Sequence, residues 1–324
     1  MLEESQTLMG RDDYCLSMAN KNAWENWFTD KVIFYQTIIP ILFILCFLAA
    51  IPNLIVMLLG IYNKRPVSGN ITKVALSLAG ADAYVATISG IGLLMNAYIP
   101  IALNQMLPDM DLITLILEAF RLGSMFTSVL HLLLLTINHY VGVAYPVHIM
   151  DYLDNKVTIC AILCFWIVPP ECLLSILVPI YIFQGPTEVR LFLHKPSFRC
   201  TVVTLFVAVL LIMAYMHFRI IRMLTRSEKQ FRRMYRQNRT LRRKQHALQT
   251  TILIIGSFLV AWIPASIHYV TTAFPWRLCL YGNSPQLLFA VSVGVNILVL
   301  VKVFLNPLIY AVRIPEIKES IVIC

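Results

Sequence analysis

Residues 286–312 read QLLFAVSVGVNILVLVKVFLNPLIYAV, an apolar run with a single charge, Lys302, inside it. About 20 apolar residues in a row are what a helix needs to cross a bilayer. Apolar and polar residues do not alternate along the run, so it has the pattern of a helix and not of a barrel strand. Six similar runs precede it, at about 32–61, 71–99, 111–145, 156–182, 198–224 and 245–274. Backbone amides cannot go unpaired in hydrocarbon, so spanning segments are helices or closed barrels. The expected fold is an all-α membrane protein, a seven-transmembrane helix bundle.

Composition agrees. The chain is 59% hydrophobic and 13% charged, against about 25% charged in ordinary soluble domains. A mean hydropathy of +0.74 spreads the excess over the whole chain. The net charge is +9, but its placement argues against a nucleic-acid partner. Eleven of the 26 bases fall between Arg219 and Lys244, with one acid, Glu228, among them. Residues 1–30 hold six acids and two bases. Basic loops stay in the cytosol, so this rule predicts a cytosolic basic loop and an extracellular N-terminus. Seven crossings then leave the C-terminus in the cytosol, and Lys64, Arg65 and Lys156 fall in cytosolic connections as the rule requires. The expected organisation is an extracellular segment 1–31, a seven-transmembrane domain 32–312 and a short cytoplasmic tail 313–324. No cleavable signal sequence opens the chain, so the first span is expected to direct insertion. The sequons at Asn70 and Asn238 would lie in the cytosol, where they are silent. In the tail, Pro315 suits a first helical turn and Ile317, Ile321 and Val322 suit an interfacial helix. Cys324 beside it is a lipidation candidate or a plain terminal cysteine. Cys46, Cys160, Cys164 and Cys172 lie in apolar runs and read as small buried hydrophobes.

Prolines and polar residues inside spans are the informative exceptions, because each needs a partner or a kink. The seventh span ends Asn306-Pro307-Leu-Ile-Tyr310 and the sixth holds Ala261-Trp262-Ile-Pro264. The second holds Leu76-Ser-Leu-Ala-Gly-Ala-Asp82, the first Asn53 and the fourth Trp166. The third ends Asn138-His139-Tyr140, followed by Pro146. In this order, on seven spans, these motifs resemble the rhodopsin-like (class A) family of G-protein-coupled receptors over nearly the whole length. The resemblance implies a cell-membrane receptor that takes an extracellular ligand and signals to heterotrimeric G proteins. It implies that Pro264 is a hinge, Trp262 a toggle beneath the ligand, and that Pro307 loosens the last helix around Tyr310. Tyr215 matches a fifth-helix tyrosine that meets the counterpart of Tyr310 in active states.

Several positions depart from the family pattern. An acid and an arginine usually stand where this chain has Asn138 and His139, and Lys244 replaces a common acid, so the usual resting-state lock cannot form. Coupling, through Asn138, His139, Tyr140, Tyr215, Asn306, Pro307 and Tyr310, is therefore expected to be constitutive, altered or lost. The family's disulfide has no cysteine at Thr114 or in 183–197, and Val207 replaces a fifth-span proline. Both absences are shared with melanocortin and lysophospholipid receptors. Cys15 and Cys279 are candidates for a substitute bridge, with free thiols as the other reading. Asp82, Ser128 and Asn306 resemble the family's sodium pocket. Lys302 lies about one turn above Asn306, and a mid-membrane ammonium needs a partner. Either it pairs with Asp82 and replaces sodium, or it faces elsewhere and snorkels.

The ligand site implied by the resemblance comprises Glu118, Arg121, Met125, Trp262, His268 and Asn296. Amine receptors carry an aspartate where Arg121 stands; an arginine repels an ammonium and can hold a carboxylate or phosphate bidentately. Glu118 also matches a glutamate of lysophospholipid receptors, and an intrahelical Glu118–Arg121 pair is the plainer reading. The expected ligand is an anionic or zwitterionic small molecule or lipid, then a short peptide. Glu171 could partner Arg121 or His131, and His131 itself reads as a satisfied core histidine. An atypical receptor that binds partners but couples poorly is one alternative. A transporter or channel is another, supported by Asp82, Glu118, Arg121, Glu171 and Lys302 but leaving the proline motifs unexplained. No nucleophile or metal constellation suggests an enzyme, and no cofactor or metal is expected. Expected partners are the ligand, the G protein and membrane lipids.

Overall fold

A computed structural model describes residues 21–62, 70–105, 110–144, 155–231, 239–274 and 284–313. Expectations for Cys15, Cys279, Cys324 and the 315–324 helix lie outside these residues, as do the side chains of Lys244 and Tyr310. Eight α-helices are described: α1 Lys21–Tyr62, α2 Asn70–Leu93, α3 Met110–Ala144, α4 Asn155–Gln184, α5 Pro186–His194, α6 Pro196–Phe231, α7 Arg239–Thr271 and α8 Pro285–Arg313. Six of them carry stretches long and apolar enough to cross a membrane, and Ile255–Thr271 in α7 is a shorter apolar one. With the short α5 set aside, seven helices form the bundle, all-α among the described residues.

The helices run up and down. The N-terminal face of the bundle gathers the starts of α1, α3, α6 and α8 with the ends of α2, α4 and α7. The basic face, at the opposite end, gathers the end of α6 and the start of α7. The α1 helix packs on α2 and α8, α3 sits among α2, α4, α6 and α7, and α8 packs on α7. The main core joins Val74 and Leu78 of α2, Leu132 and Leu135 of α3, Phe206 and Met213 of α6, and Phe258 and Trp262 of α7. The outward side is a belt of exposed Ile, Leu, Val and Phe, including Ile44, Leu48, Ile167, Leu211 and Val260. That arrangement suits a hydrocarbon solvent.

Helical periodicity decides what faces inward. On α6 the buried residues are Arg199, Val202, Phe206, Met213, His217, Ile220 and Leu224, spaced by threes, fours and sevens on one stripe. Tyr215 lies two residues from Met213, roughly 200° around the helix, and is 59% exposed. Its hydroxyl accepts a bond from Arg219 Nη1 at 3.0 Å. Tyr215 thus faces outward in this arrangement. On α4 the buried stripe runs through Pro170, Leu173 and Leu177, which leaves Glu171 outside with Ile167 and Val168. Glu171 thus partners neither Arg121 nor His131. Cys160, Cys164 and Cys172 are exposed on α4 as well, contrary to their reading as buried hydrophobes; Cys46 is buried.

Small residues let helices approach closely. A Cβ on Gly123 of α3 would stand 2.8 Å from the Pro170 Cα of α4, so only glycine fits that crossing. Two features break the simple bundle. The α2 helix continues as a π-helix, Leu94–Ala102, around Pro100, and the Gln36 amide of α1 donates to the Ala102 carbonyl at 3.0 Å. Gly185, with φ of +90°, turns the chain into α5, whose Val189 packs with Leu115, Leu122 and Leu177 over the N-terminal face.

Candidate functional site: a ligand cavity above a buried ion pair

A cavity of about 520 Å³ lies inside the N-terminal half of the bundle, walled by α2, α3, α5, α6, α7 and α8. Glu118, Arg121, Met125, Trp262, His268 and Asn296, the six residues expected at a ligand, all line it. Arg121 and Glu118 stand one turn apart on α3 and form a bidentate pair. Arg121 Nε donates to Glu118 Oε2 at 2.8 Å and Nη2 donates to Oε1. Their side chains remain 36% and 21% exposed, so the pair still opens into the cavity. The plain reading of an intrahelical pair and the reading of a pocket-lining pair describe one arrangement. His268 Nε2 lies 2.9 Å from Ser292 Oγ, which ties α7 to α8. The Asn296 amide donates to the Ser292 carbonyl at 2.8 Å.

Arg199 is the main addition to the expected set. It enters from the first turn of α6, and its guanidinium braces three elements. Nε donates to the Leu193 carbonyl at 3.0 Å, and Nη1 donates to the Tyr269 carbonyl and Thr272 Oγ1, both at 2.9 Å. Nη2 donates to His194 Nδ1, and the cation lies 4.6 Å from the centroid of the Tyr269 ring. No motif singles out Arg199, which falls at the start of the fifth apolar run. The signal was its place three residues before Val202 and seven before Phe206, on the inward stripe of α6. Where the family's disulfide would begin, Thr114 Oγ1 donates to Asn96 Oδ1 at 2.9 Å and links α3 to the π-helical end of α2. Among the described residues, the charged groups lining the cavity are Arg121, Arg199 and Glu118.

Trp262 forms the cavity floor and packs with Phe206 and Phe258, ring centroids 6.0 and 5.9 Å away. Below lies a buried polar network. Lys302 Nζ donates to Asp82 Oδ1 at 2.6 Å, and the two side chains are 2% and 1% exposed. Asn306 Nδ2 donates to Asp82 Oδ2 at 2.5 Å, and Ser128 Oγ to Oδ1 at a long 3.4 Å. Lys302 is therefore paired and does not snorkel. Its ammonium also lies 5.1 Å from the centroid of the Phe258 ring, directly beneath the aromatic stack.

His131 is satisfied within the core. Thr127's carbonyl can only accept, so the 2.7 Å contact puts the proton on His131 Nδ1. The neutral ring's Nε2 then accepts from Ser77 Oγ at 2.8 Å, and Ser77 in turn accepts from Trp166 Nε1 at 3.0 Å. This relay ties α2, α3 and α4 without a charge.

At the basic face, Asn138 Nδ2 donates to the Leu134 carbonyl of its own helix at 2.9 Å. His139 is buried, as is His217 across from it on α6. Tyr140 and Val143 pack on Ile220 and Leu224. Pro307 is buried in the last turns of α8. Among the described residues, no group of three or more His, Cys, Asp or Glu is placed to hold a metal ion.

A seven-helix bundle with an internal cavity, a tryptophan floor and a buried Asp82–Asn306 contact defines a membrane receptor of one broad class. Residues 52–310 match the family of 7 transmembrane receptors of the rhodopsin type, and the chain belongs to that family. It is accordingly a multi-pass membrane receptor; members of this family are receptors and not enzymes, acting between extracellular ligands and G proteins. No curated protein matches the chain closely enough to narrow the subgroup.

Proposed function

We propose that the chain is a cell-surface receptor whose cavity takes an anionic or zwitterionic small ligand and whose basic face meets a heterotrimeric G protein. In this reading residues 1–31 are extracellular, 32–312 form the receptor domain and 313–324 are a cytosolic tail. One observation carries the ligand class: two guanidiniums and one carboxylate line the cavity. The Glu118 carboxylate pairs with Arg121, and both guanidiniums stand on the cavity wall. A guanidinium in a partly dry cavity binds a carboxylate or phosphate through paired hydrogen bonds, and it repels an ammonium. Glu118 beside it supplies an acceptor for the cationic end of a zwitterion.

The test is thermal stabilisation of the purified chain in nanodiscs by a panel of carboxylates, monoalkyl phosphates, zwitterionic amino acids and amines. Anions or zwitterions should stabilise the wild type and lose at least tenfold in affinity with Arg121→Ala. Stabilisation by amines alone would sink the ligand class.

A second reading, a receptor that binds ligand yet couples poorly, is favoured by Asn138 and His139. Asn138 turns its amide onto its own helix, and His139 is buried. Restoring arginine at His139 should raise ligand-stimulated GTP turnover only if the wild type couples poorly. Within the core, Lys302 takes the place of a sodium ion at Asp82, so signalling and stability are proposed to be indifferent to sodium.

A further inference from the structure

A second cavity, of about 340 Å³, opens on the outer surface of the bundle between α6 and α7. Its walls are aliphatic, chiefly Val207, Leu210, Ile263, Ile267 and Val270. The Thr271 hydroxyl at its rim donates back to the His268 carbonyl at 3.1 Å, so its polarity is turned onto the helix. From Val203 to Leu210 the groove follows α6 for about 10 Å, at 1.5 Å per residue. Val203, Phe206 and Ser266 line this groove and the polar cavity alike. The two spaces therefore lie back to back, parted by these three side chains. On one side of that wall stand guanidiniums, and on the other hydrocarbon open to the bilayer.

We infer that the ligand of the polar cavity is a single-chain amphiphile with an anionic head, whose hydrocarbon chain passes between α6 and α7 into this groove. The inference rests on the anionic-ligand reading above and extends it to the rest of the molecule. The head is held where Arg121 and Arg199 face the cavity. The chain leaves through the Val203–Phe206–Ser266 boundary, where no carboxylate or ammonium stands among the residues lining the groove. Each methylene moved from water into the groove strengthens binding by about fourfold.

The experiment uses two homologous series, fatty carboxylates from butanoate to hexadecanoate and the matching monoalkyl phosphates. Affinity is read as stabilisation of the full chain in phosphatidylcholine nanodiscs against free probe concentration. Val207→Trp combined with Ile267→Trp fills the groove from positions that already face outward. Ile176→Trp, at an exposed position of α4, is the control. The expected wild-type affinity rises at least tenfold from the four-carbon to the twelve-carbon probe. The groove-filled variant should lose that rise and keep four-carbon binding, which also reports that it is folded; Ile176→Trp should keep both. An unchanged rise in the groove-filled variant would overturn the inference and leave bulk bilayer lipid as the groove's occupant, with the anionic-head reading intact. Equal loss in Ile176→Trp would overturn it too. Failure of every anion in both series would overturn the head reading, and this inference with it.

Discussion

Replacing Lys302 by methionine keeps most of the side-chain volume against Phe258 and removes only the charge. The Asp82 carboxylate, 1% exposed, then retains Asn306 at 2.5 Å and Ser128 at 3.4 Å but loses its ammonium at 2.6 Å. Removing one member of a buried pair leaves the other charge uncompensated, at a cost of about 3–5 kcal/mol. Asp82→Asn strands the ammonium and should cost a similar amount. The double variant Asp82→Asn with Lys302→Met removes both charges, so it should be less destabilised than either single one. Thermal unfolding of the purified chain in nanodiscs, measured for all four proteins, yields the coupling directly. The same melts in sodium chloride and in choline chloride at equal ionic strength test the ion. Lys302→Met vacates room beside a carboxylate, and sodium at a hundredfold excess over its dissociation constant would return about 2.7 kcal/mol. Wild type should be indifferent to the choice of cation. The reasoning is refuted if wild type and Lys302→Met gain equally from sodium, or if the single costs simply add in the double variant.

Three further outcomes follow from single contacts. Ser77→Ala leaves the His131 ring nitrogen and the Trp166 N–H without the hydroxyl that joins them. It should cost about 1–3 kcal/mol, seen as a lower melting midpoint, and a silent result would mean the relay carries no net energy. Gly123→Ala forces a methyl to 2.8 Å from the Pro170 backbone. It should cost about 1–3 kcal/mol as overpacking does, whereas Gly92→Ala, with nothing within 4 Å, should be close to neutral in the same melts. Arg199→Met removes four hydrogen bonds that hold α5 and α7 to α6. Faster hydrogen exchange across 186–194 is expected, and unchanged protection there would refute the bracing role.

The span boundaries were legible because a bilayer imposes a long apolar period, and the observed helix ends fall within several residues of the apolar runs, except that α1 starts at Lys21, well before its run at 32. Trp262, Arg121, Glu118 and Lys302 were legible because a charge or a proline-linked aromatic inside hydrocarbon is conspicuous. What stayed hidden depends on tertiary placement. The short α5 helix packs Val189 on α3 and α4, and nothing local in Pro186–His194 announces that contact. Arg199 reads as an ordinary span flank until the inward stripe of α6 is laid out from Val202 to Leu224. That stripe also turns Tyr215 outward. The place of Glu171 stayed open for the same reason: its chemistry was plain, and its helical face was not.

The charges that remain inside the bundle constrain how it can move. At the basic face Asn138 has no charge, and α3 is held to α6 by Tyr140 and Val143 against Ile220 and Leu224. Apolar contact is non-directional, so these surfaces can slide without unpairing an ion. In the core the opposite holds, because Lys302 and Asp82 join α8 to α2 by a short, directional bond. Any shift of α8 against α2 that breaks the pair costs several kcal/mol, more than the 1–3 kcal/mol that typical ligand coupling supplies. Only motion of α2 and α8 as one body keeps the pair intact. The middle lengths of α6 and α7 meet through apolar contact among Phe206, Met213, Phe258 and Trp262, while Arg199 holds their outer ends together. Pro264 removes a backbone bond from α7 between these two regions.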